Sequence, residues 1–290
     1  MKPDQTNHNL KTHRWPLLRA VATGLASIFI SATAHADLYA PAGPNANLYV
    51  SNYNGNTIEK YSSTGTDLGA FANTGLSGPN GLAFDTSGNL YAANNNTNTI
   101  RKFSSTGTDL GDFANTGLSE PIGLAFDSTG NLYAANGFDN TIEKFSPTGT
   151  DLGVFAGPTG LSIPGGLAFD SAGNLYAANI NSNTIEKFSS TGTDLGVFAN
   201  TGLAIPVGLA FDSTGNLYAT NTGNATIEKF SSTGTDLGVF ASTGLNGPGF
   251  LAFSPETAVP EPSTYGALVG LGLLGMGMVN TLRRRKSVLA

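Results

Sequence analysis

Residues 47 to 253 are five near-copies of one unit about 42 residues long. The segment Gly81-Leu82-Ala83-Phe84-Asp85 returns at Gly123, Gly166 and Gly208 and, altered, as Phe250-Leu251-Ala252-Phe253-Ser254, at steps of 42, 43, 42 and 42 residues. Asn-Leu-Tyr starts at Asn47, Asn89, Asn131, Asn174 and Asn216, and Thr-Ile-Glu/Arg-Lys at Thr57, Thr99, Thr141, Thr184 and Thr226. Thr-Asp-Leu-Gly starts at Thr66, Thr108, Thr150, Thr193 and Thr235. A chain repeating at this period builds one small unit per copy, and each unit buries its faces only against its neighbours.

Each copy holds four short apolar runs. Asp-x-x-Gly-Asn separates the first two and Ser/Pro-Thr-Gly-Thr the last two. Glycine reaches positive φ without steric cost, while Asp and Thr side chains bond nearby backbone, so both connections predict hairpins. Apolar groups fall on both faces of each unit: Leu82 and Phe84 opposite Ala83, Leu90 opposite Tyr91, Ile100 opposite Phe103. Burying each Leu or Phe contributes roughly 1.5–3 kcal/mol, so stacking offsets chain entropy only if every face is covered. A closed ring covers them all, which predicts an all-β, five-bladed β-propeller of four-stranded antiparallel blades. The first copy begins at its second strand, and Phe250 to Ser254 supplies the missing first strand of blade one. Six blades is the alternative, with Asp37-Leu38-Tyr39-Ala40 seeding an extra one.

Gly-Leu-Ala-Phe-Asp-x-x-Gly-Asn-Leu-Tyr-Ala-Ala-Asn followed by Asn-Thr-Ile-x-Lys-Phe resembles the NHL-repeat propellers and their lactonase and lyase relatives. That resemblance covers about five-sevenths of the chain and implies the fold before any activity. For lactonase-type relatives it implies a channel metal held by Glu, Asn and Asp at unlike positions on several blades.

The two ends read as addresses. In residues 1–36, Lys2, Lys11, Arg14 and Arg19 precede or open an apolar run from Ala20 to Ile30, and Ala34-His35-Ala36 fits a signal-peptidase site. An uncleaved anchor is the alternative. The propeller is expected over 37–258. Residues 259–290 hold Val259-Pro260-Glu261-Pro262-Ser263-Thr264, an apolar stretch over 265–282, and a basic tail over 283–290 that opens Arg283-Arg284-Arg285. Eighteen residues just span a bilayer as a helix, and the basic cluster stays inside. This tail resembles a PEP-CTERM sorting signal; a plain single-span anchor is the alternative. The resemblance implies a transient inner-membrane anchor in a Gram-negative bacterium, processing by exosortase, and a place at the cell surface or in the extracellular matrix among exopolysaccharide and biofilm systems.

The chain has no cysteine, and His8, His13 and His35 all precede the expected cleavage point. Thiol and imidazole chemistry are thereby disfavoured, and a non-catalytic binding module is the expectation. A calcium-dependent lactonase-like hydrolase and a purely structural matrix protein are the alternatives. From Asp37 to Pro260 six basic residues face eighteen acidic ones, a net of −12, which excludes nucleic acid as a partner. The expected partners are a polysaccharide or a matrix protein, with the propeller itself a monomer.

Two sets of side chains are candidates. Asp85, Asp127, Asp170 and Asp212 in the first hairpin, with Asp67, Asp109, Asp151, Asp194 and Asp236 at the second, would share one rim and gather calcium; the alternative is that each caps its own turn. No other cofactor is expected. On the opposite face, Asn52, Asn94, Asn136, Asn179 and Asn221 would form a ring of amides that, with Tyr53 and Phe138, offers a neutral-sugar surface. Alternatively these asparagines only serve tight turns. The Glu-Lys pairs of the third strands are expected on a solvated edge.

Overall fold

The computed structural model describes residues 47–62 and 66–251. Blade one contributes β1 (Leu48–Asn52), β2 (Thr57–Tyr61) and β3 (Asp67–Ala72). Blade two is β4 (Pro79–Phe84), β5 (Leu90–Asn94), β6 (Thr99–Phe103) and β7 (Asp109–Ala114). Blade three is β8 (Pro121–Phe126), β9 (Leu132–Asn136), β10 (Thr141–Phe145) and β11 (Asp151–Ala156). Blade four is β12 (Pro164–Phe169), β13 (Leu175–Asn179), β14 (Thr184–Phe188) and β15 (Asp194–Ala199). Blade five is β16 (Pro206–Phe211), β17 (Leu217–Asn221), β18 (Thr226–Phe230) and β19 (Asp236–Ala241). Every blade is an antiparallel meander in sequence order, and together they form a five-bladed propeller.

The hairpins form where the turn residues predict. Asp85 Oδ1 accepts from the backbone N–H of Ser87 and Asn89, while Gly88, at φ +81°, donates to Asp85 O. The core lies between blades. Ala83, Tyr91, Ala93 and Ile100 of blade two meet Leu124, Phe126, Leu132 and Phe145 of blade three, and equivalent clusters recur at the seams on either side. Tyr91 stands edge-on to Phe126 across that seam, with centroids 5.0 Å apart, and Tyr133–Phe169 and Tyr176–Phe211 repeat the contact. Such pairs add about 0.5–1.5 kcal/mol beyond their area.

At the axis the inner strands approach to backbone contact. A Cβ on Gly81, Gly123 or Gly166 would lie 2.2–2.4 Å from a carbonyl oxygen of the next blade's first strand. On Gly208 it would meet Phe250 Cα at 2.5 Å, so the returning segment occupies the fifth place around the axis. Thr220 fastens it, with its hydroxyl donating to Gly249 O and accepting from Gly208 N–H. Phe250 also packs on the Ile58–Leu82–Phe103 cluster between blades one and two. The remainder of the returning strand, and Asp37 to Ala40, lie outside the described residues.

The solvated edge falls elsewhere than expected. It is the fourth strand of each blade, not the third, and it is disrupted by bulges and exposes Leu110, Leu152, Val154, Leu195 and Val197. Breaks in the ladder of this kind protect an edge from further pairing. The third-strand lysines lean instead over tyrosine rings, as Lys102 does over Tyr91 at 5.0 Å, and Glu143, Glu186 and Glu228 are buried.

Candidate functional site

The five loops between second and third strands lie on one face, opposite the two hairpins. Four of the five asparagines expected to form a ligand ring there do other work. Asn94 donates from Nδ2 to Gly75 O (2.9 Å) and Thr99 Oγ1 (3.1 Å), and accepts on Oδ1 from Ser77 N–H (3.1 Å). Asn136, Asn179 and Asn221 repeat all three bonds, and all four are at most 2% exposed. They fasten the incoming interblade loop to the blade, and their amides are spent on protein donors and acceptors. Asn52 is half-buried and accepts from Gly55 N–H within its own turn. Tolerance of positive φ belongs to the last loop residue, not the first: Asn56, Asn98, Asn140 and Asn183 lie at φ 52–57°. Their Oδ1 atoms accept from the N–H of Gly78, Glu120, Ile163 and Ile205 at the start of the next blade.

The symmetry breaks nearer the axis. The second loop residue is Tyr53, Asn95, Gly137, Ile180 or Thr222 in blades one to five, and the second inner-strand residue is Asn80, Ile122, Gly165 or Val207 in blades two to five. These two positions face each other: Ile122 lies against Gly137, and a Cβ on Gly165 would meet Ile180 Cδ1 at 3.0 Å. Blades one and two therefore carry Tyr53, Asn80 and Asn95 at these positions, while blades three to five carry Ile122, Ile180 and Val207 with Thr222, whose hydroxyl donates to Pro248 O. Tyr53 Oη donates toward Asn96 Oδ1 (3.0 Å) and Asn95 Oδ1 (3.2 Å). Gly78 makes room for this contact, since a Cβ there would stand 2.5 Å from Asn96 Nδ2 and 3.1 Å from the Tyr53 ring. Asn80 is 5% exposed, and its side chain makes no hydrogen bond to another described residue. Phe138 stands 67% exposed on the neighbouring blade three loop. Asn80, Asn95 and Asn96 were not among the residues singled out from sequence. Asn80 is the one amide at its position when the copies are aligned.

The hairpin aspartates are occupied as well. Besides its turn, Asp85 Oδ2 accepts from Asn89 Nδ2 (2.8 Å) and Tyr91 Oη (3.1 Å), and Asp127, Asp170 and Asp212 repeat this. Burial opposes ionisation, yet the bonds from Asn216 and Thr214 hold Asp212 down at about 2. Asp109, Asp151, Asp194 and Asp236 open the fourth strands, directly after the second hairpin. Their Oδ2 atoms lie 2.7–2.8 Å from where a Cβ would stand on Gly75, Gly117, Gly160 and Gly202 of the interblade loops. Among the described residues no three carboxylate, His or Cys side chains gather as a metal group, and the donors near the axis are amides and hydroxyls. That donor set does not fit the Glu, Asn and Asp ligands implied by the lactonase resemblance.

A PEP-CTERM protein-sorting motif matches residues 258–286. No curated protein matches the chain. Among solved structures, a gluconolactonase from Xanthomonas campestris is 21% identical with a TM-score of 0.58, covering 69% of this chain and 74% of its own. A chain of a nidogen/laminin complex is 25% identical with a TM-score of 0.63, covering 71% and 81%. A streptogramin B lyase is 21% identical with a TM-score of 0.58, covering 73% and 71%. The expectation of a non-catalytic propeller is thereby overturned, because this fold also serves a gluconolactonase and a streptogramin B lyase. The cleavage site Ala34 to Ala36, Val259, Pro260, Glu261, Pro262, the apolar stretch 265–282 and Arg283 to Arg285 lie outside the described residues, among which no helix is long and apolar enough to cross a membrane. The chain is a five-bladed propeller carrying a PEP-CTERM signal, which marks it for export, exosortase processing and membrane-anchored sorting toward the cell surface.

Proposed function

We propose that the exported propeller binds a neutral, hydroxyl-rich ligand, such as the end of a polysaccharide chain, in the mouth of its Asn face. One observation carries this reading: the units are near copies, yet amides and a phenol gather on blades one and two opposite isoleucine and valine. A sugar ring offers hydroxyls at its edge and C–H groups on its faces, and a half-polar, half-apolar concavity suits both. The test is co-sedimentation of the secreted protein with the host's exopolysaccharide, comparing wild type with Asn80→Leu and Asn95→Ala. Saturable binding weakened at least about tenfold in both variants supports the reading, a loss of roughly 1.4 kcal/mol. Equal binding by wild type and variants contradicts it.

The gluconolactonase and lyase among the similar structures favour a second reading, in which the same mouth turns its ligand over. Incubation with a sugar lactone under a pH-stat distinguishes the two. Acid release above the uncatalysed rate that Asn80→Leu abolishes supports turnover, and release at the uncatalysed rate leaves binding as the activity.

A further inference from the structure

Blades three, four and five each hold two carboxyl groups against one another beneath an interblade loop. Glu143, Glu186 and Glu228 are 3–4% exposed, and each meets the aspartate that opens the neighbouring fourth strand: Asp151, Asp194 and Asp236. The loop lies directly on the pair, because a Cβ on Gly117 would stand 2.7 Å from Asp151 Oδ2 and 2.9 Å from Glu143 Cγ. Gly160 and Gly202 repeat the contact within about 0.1 Å.

We propose that these pairs are proton-operated clamps on the Asn face: while each keeps one shared proton it holds down loop 115–120, 157–163 or 200–205, and losing the proton loosens that loop.

Among the described residues no cation pairs with these carboxyl groups, and each aspartate accepts one backbone N–H, from Gly153, Gly196 or Gly238 at 2.8 Å. Across the sheet Glu143 faces Ala134, Glu186 faces Ala177 and Glu228 faces Ala219. Lys144, Lys187 and Lys229 point to the other side of the blade, over Tyr133, Tyr176 and Tyr218. From the first loop, Thr116 bonds Asp151 and Gly117 covers the pair, while Glu120 is exposed. Loops 157–163 and 200–205 contain no ionisable side chain. Two carboxylates in this setting repel one another and lose hydration, whereas one proton between them replaces repulsion with a hydrogen bond. Burial first, and the partner aspartate second, push all three glutamates up to about 7. The folded chain therefore keeps protons that an unfolded chain would release from about pH 4.5 upward. The clamp's contribution falls as pH rises to about 7 and is then constant.

Blade two is the built-in control. Arg101 stands where the others carry Glu, bonding Asp109 through Nε (2.7 Å) and Asp112 through Nη1 (2.7 Å), and Gly75 of loop 73–78 covers it. A guanidinium is charged at every accessible pH, so this clamp does not titrate.

Hydrogen exchange on the full-length secreted protein at pH 5.5 and 8.5, corrected for intrinsic exchange, tests the proposal. The expected result is about a tenfold or greater loss of protection in loops 115–120, 157–163 and 200–205 at pH 8.5, the effect of one pKa unit or more, with loop 73–78 unchanged. Glu143→Gln/Glu186→Gln/Glu228→Gln should abolish the response, because each amide donates to its aspartate at either pH. If the triple variant fails to fold, Glu228→Gln alone must silence loop 200–205 and leave the other two responsive. Unchanged protection in wild type, an equal loss in loop 73–78, or a persistent response in the variants overturns the proposal.

Discussion

Blades two and three run nearly the same course and differ where charge or a ligand is concerned. Both cap the first hairpin with an aspartate, fasten the incoming loop with a buried asparagine, and touch the next inner strand through a glycine. At the third strand, however, blade two carries Arg101 against Asp109 and Asp112, whereas blade three carries Glu143 against Asp151 with Val154 at the third corner. At the mouth, Asn80 and Asn95 of blade two correspond to Ile122 and Gly137 of blade three. The shared residues satisfy backbone groups and close the ring, so they report on folding. The differing residues carry less of that duty, Asn95 Nδ2 reaching only Pro121 O at 3.5 Å, and function is to be sought among them.

The largest expected effect tests the shared part. Gly123→Ala should lower stability by about 3 kcal/mol or more, since its Cβ has only backbone to displace, and Gly81→Ala in blade two should cost as much. Chemical denaturation of both variants measures it, and a harmless substitution in either blade would show that the inner strands are not in contact. Asn94→Ala and Asn136→Ala each remove three buried hydrogen bonds and should each cost about 2–4 kcal/mol, with ligand affinity unchanged in protein that remains folded. Loss of binding without loss of stability would return these amides to the ligand surface.

Charge supplies the next contrast. Arg101→Glu would place three carboxylates together in blade two and should cost about 2 kcal/mol at pH 8, with less loss at pH 5 as protons compensate. A penalty independent of pH would mean that Arg101 contributes packing alone. Wild-type stability should peak on the mildly acid side. Above it the raised glutamates lose their contribution up to about pH 7; below it the hairpin aspartates, held under their usual 3.8, lose theirs as they protonate. A melting-temperature profile from pH 3 to 9 measures both limbs. The smallest change concerns the residue before the inner-strand proline. Blade two has Gly78 there, while blade three holds Glu120 at φ +48°. Glu120→Gly should stabilise by up to about 1 kcal/mol by relieving that conformation, and a loss would show that the Glu120 side chain contributes.

The strands, hairpins and ring were legible because a copied unit writes each turn residue several times, and Asp85 with Gly88 has the same counterparts in three further copies. What repetition concealed was the direction of side chains. Asn94 follows the last core residue of its strand, and nothing local shows that its amide turns back onto Gly75 rather than outward. Glu143 shares a strand face with Phe145, which places it inward, but its position between polar neighbours reads as a solvated edge. Asn80 escaped notice because the conserved-looking string begins one residue later, at Gly81. Columns of the repeat, rather than its consensus, would have found it.

Side-chain amide NMR with selectively labelled asparagine tests most directly the claim that the odd residues bind and the repeated ones fold. In a titration with neutral oligosaccharides from the host's exopolysaccharide, the account predicts saturable shifts at Asn80, Asn95 and Asn96. Asn94, Asn136, Asn179 and Asn221 should stay fixed. Shifts at the repeated four with none at Asn80, Asn95 or Asn96 would contradict it.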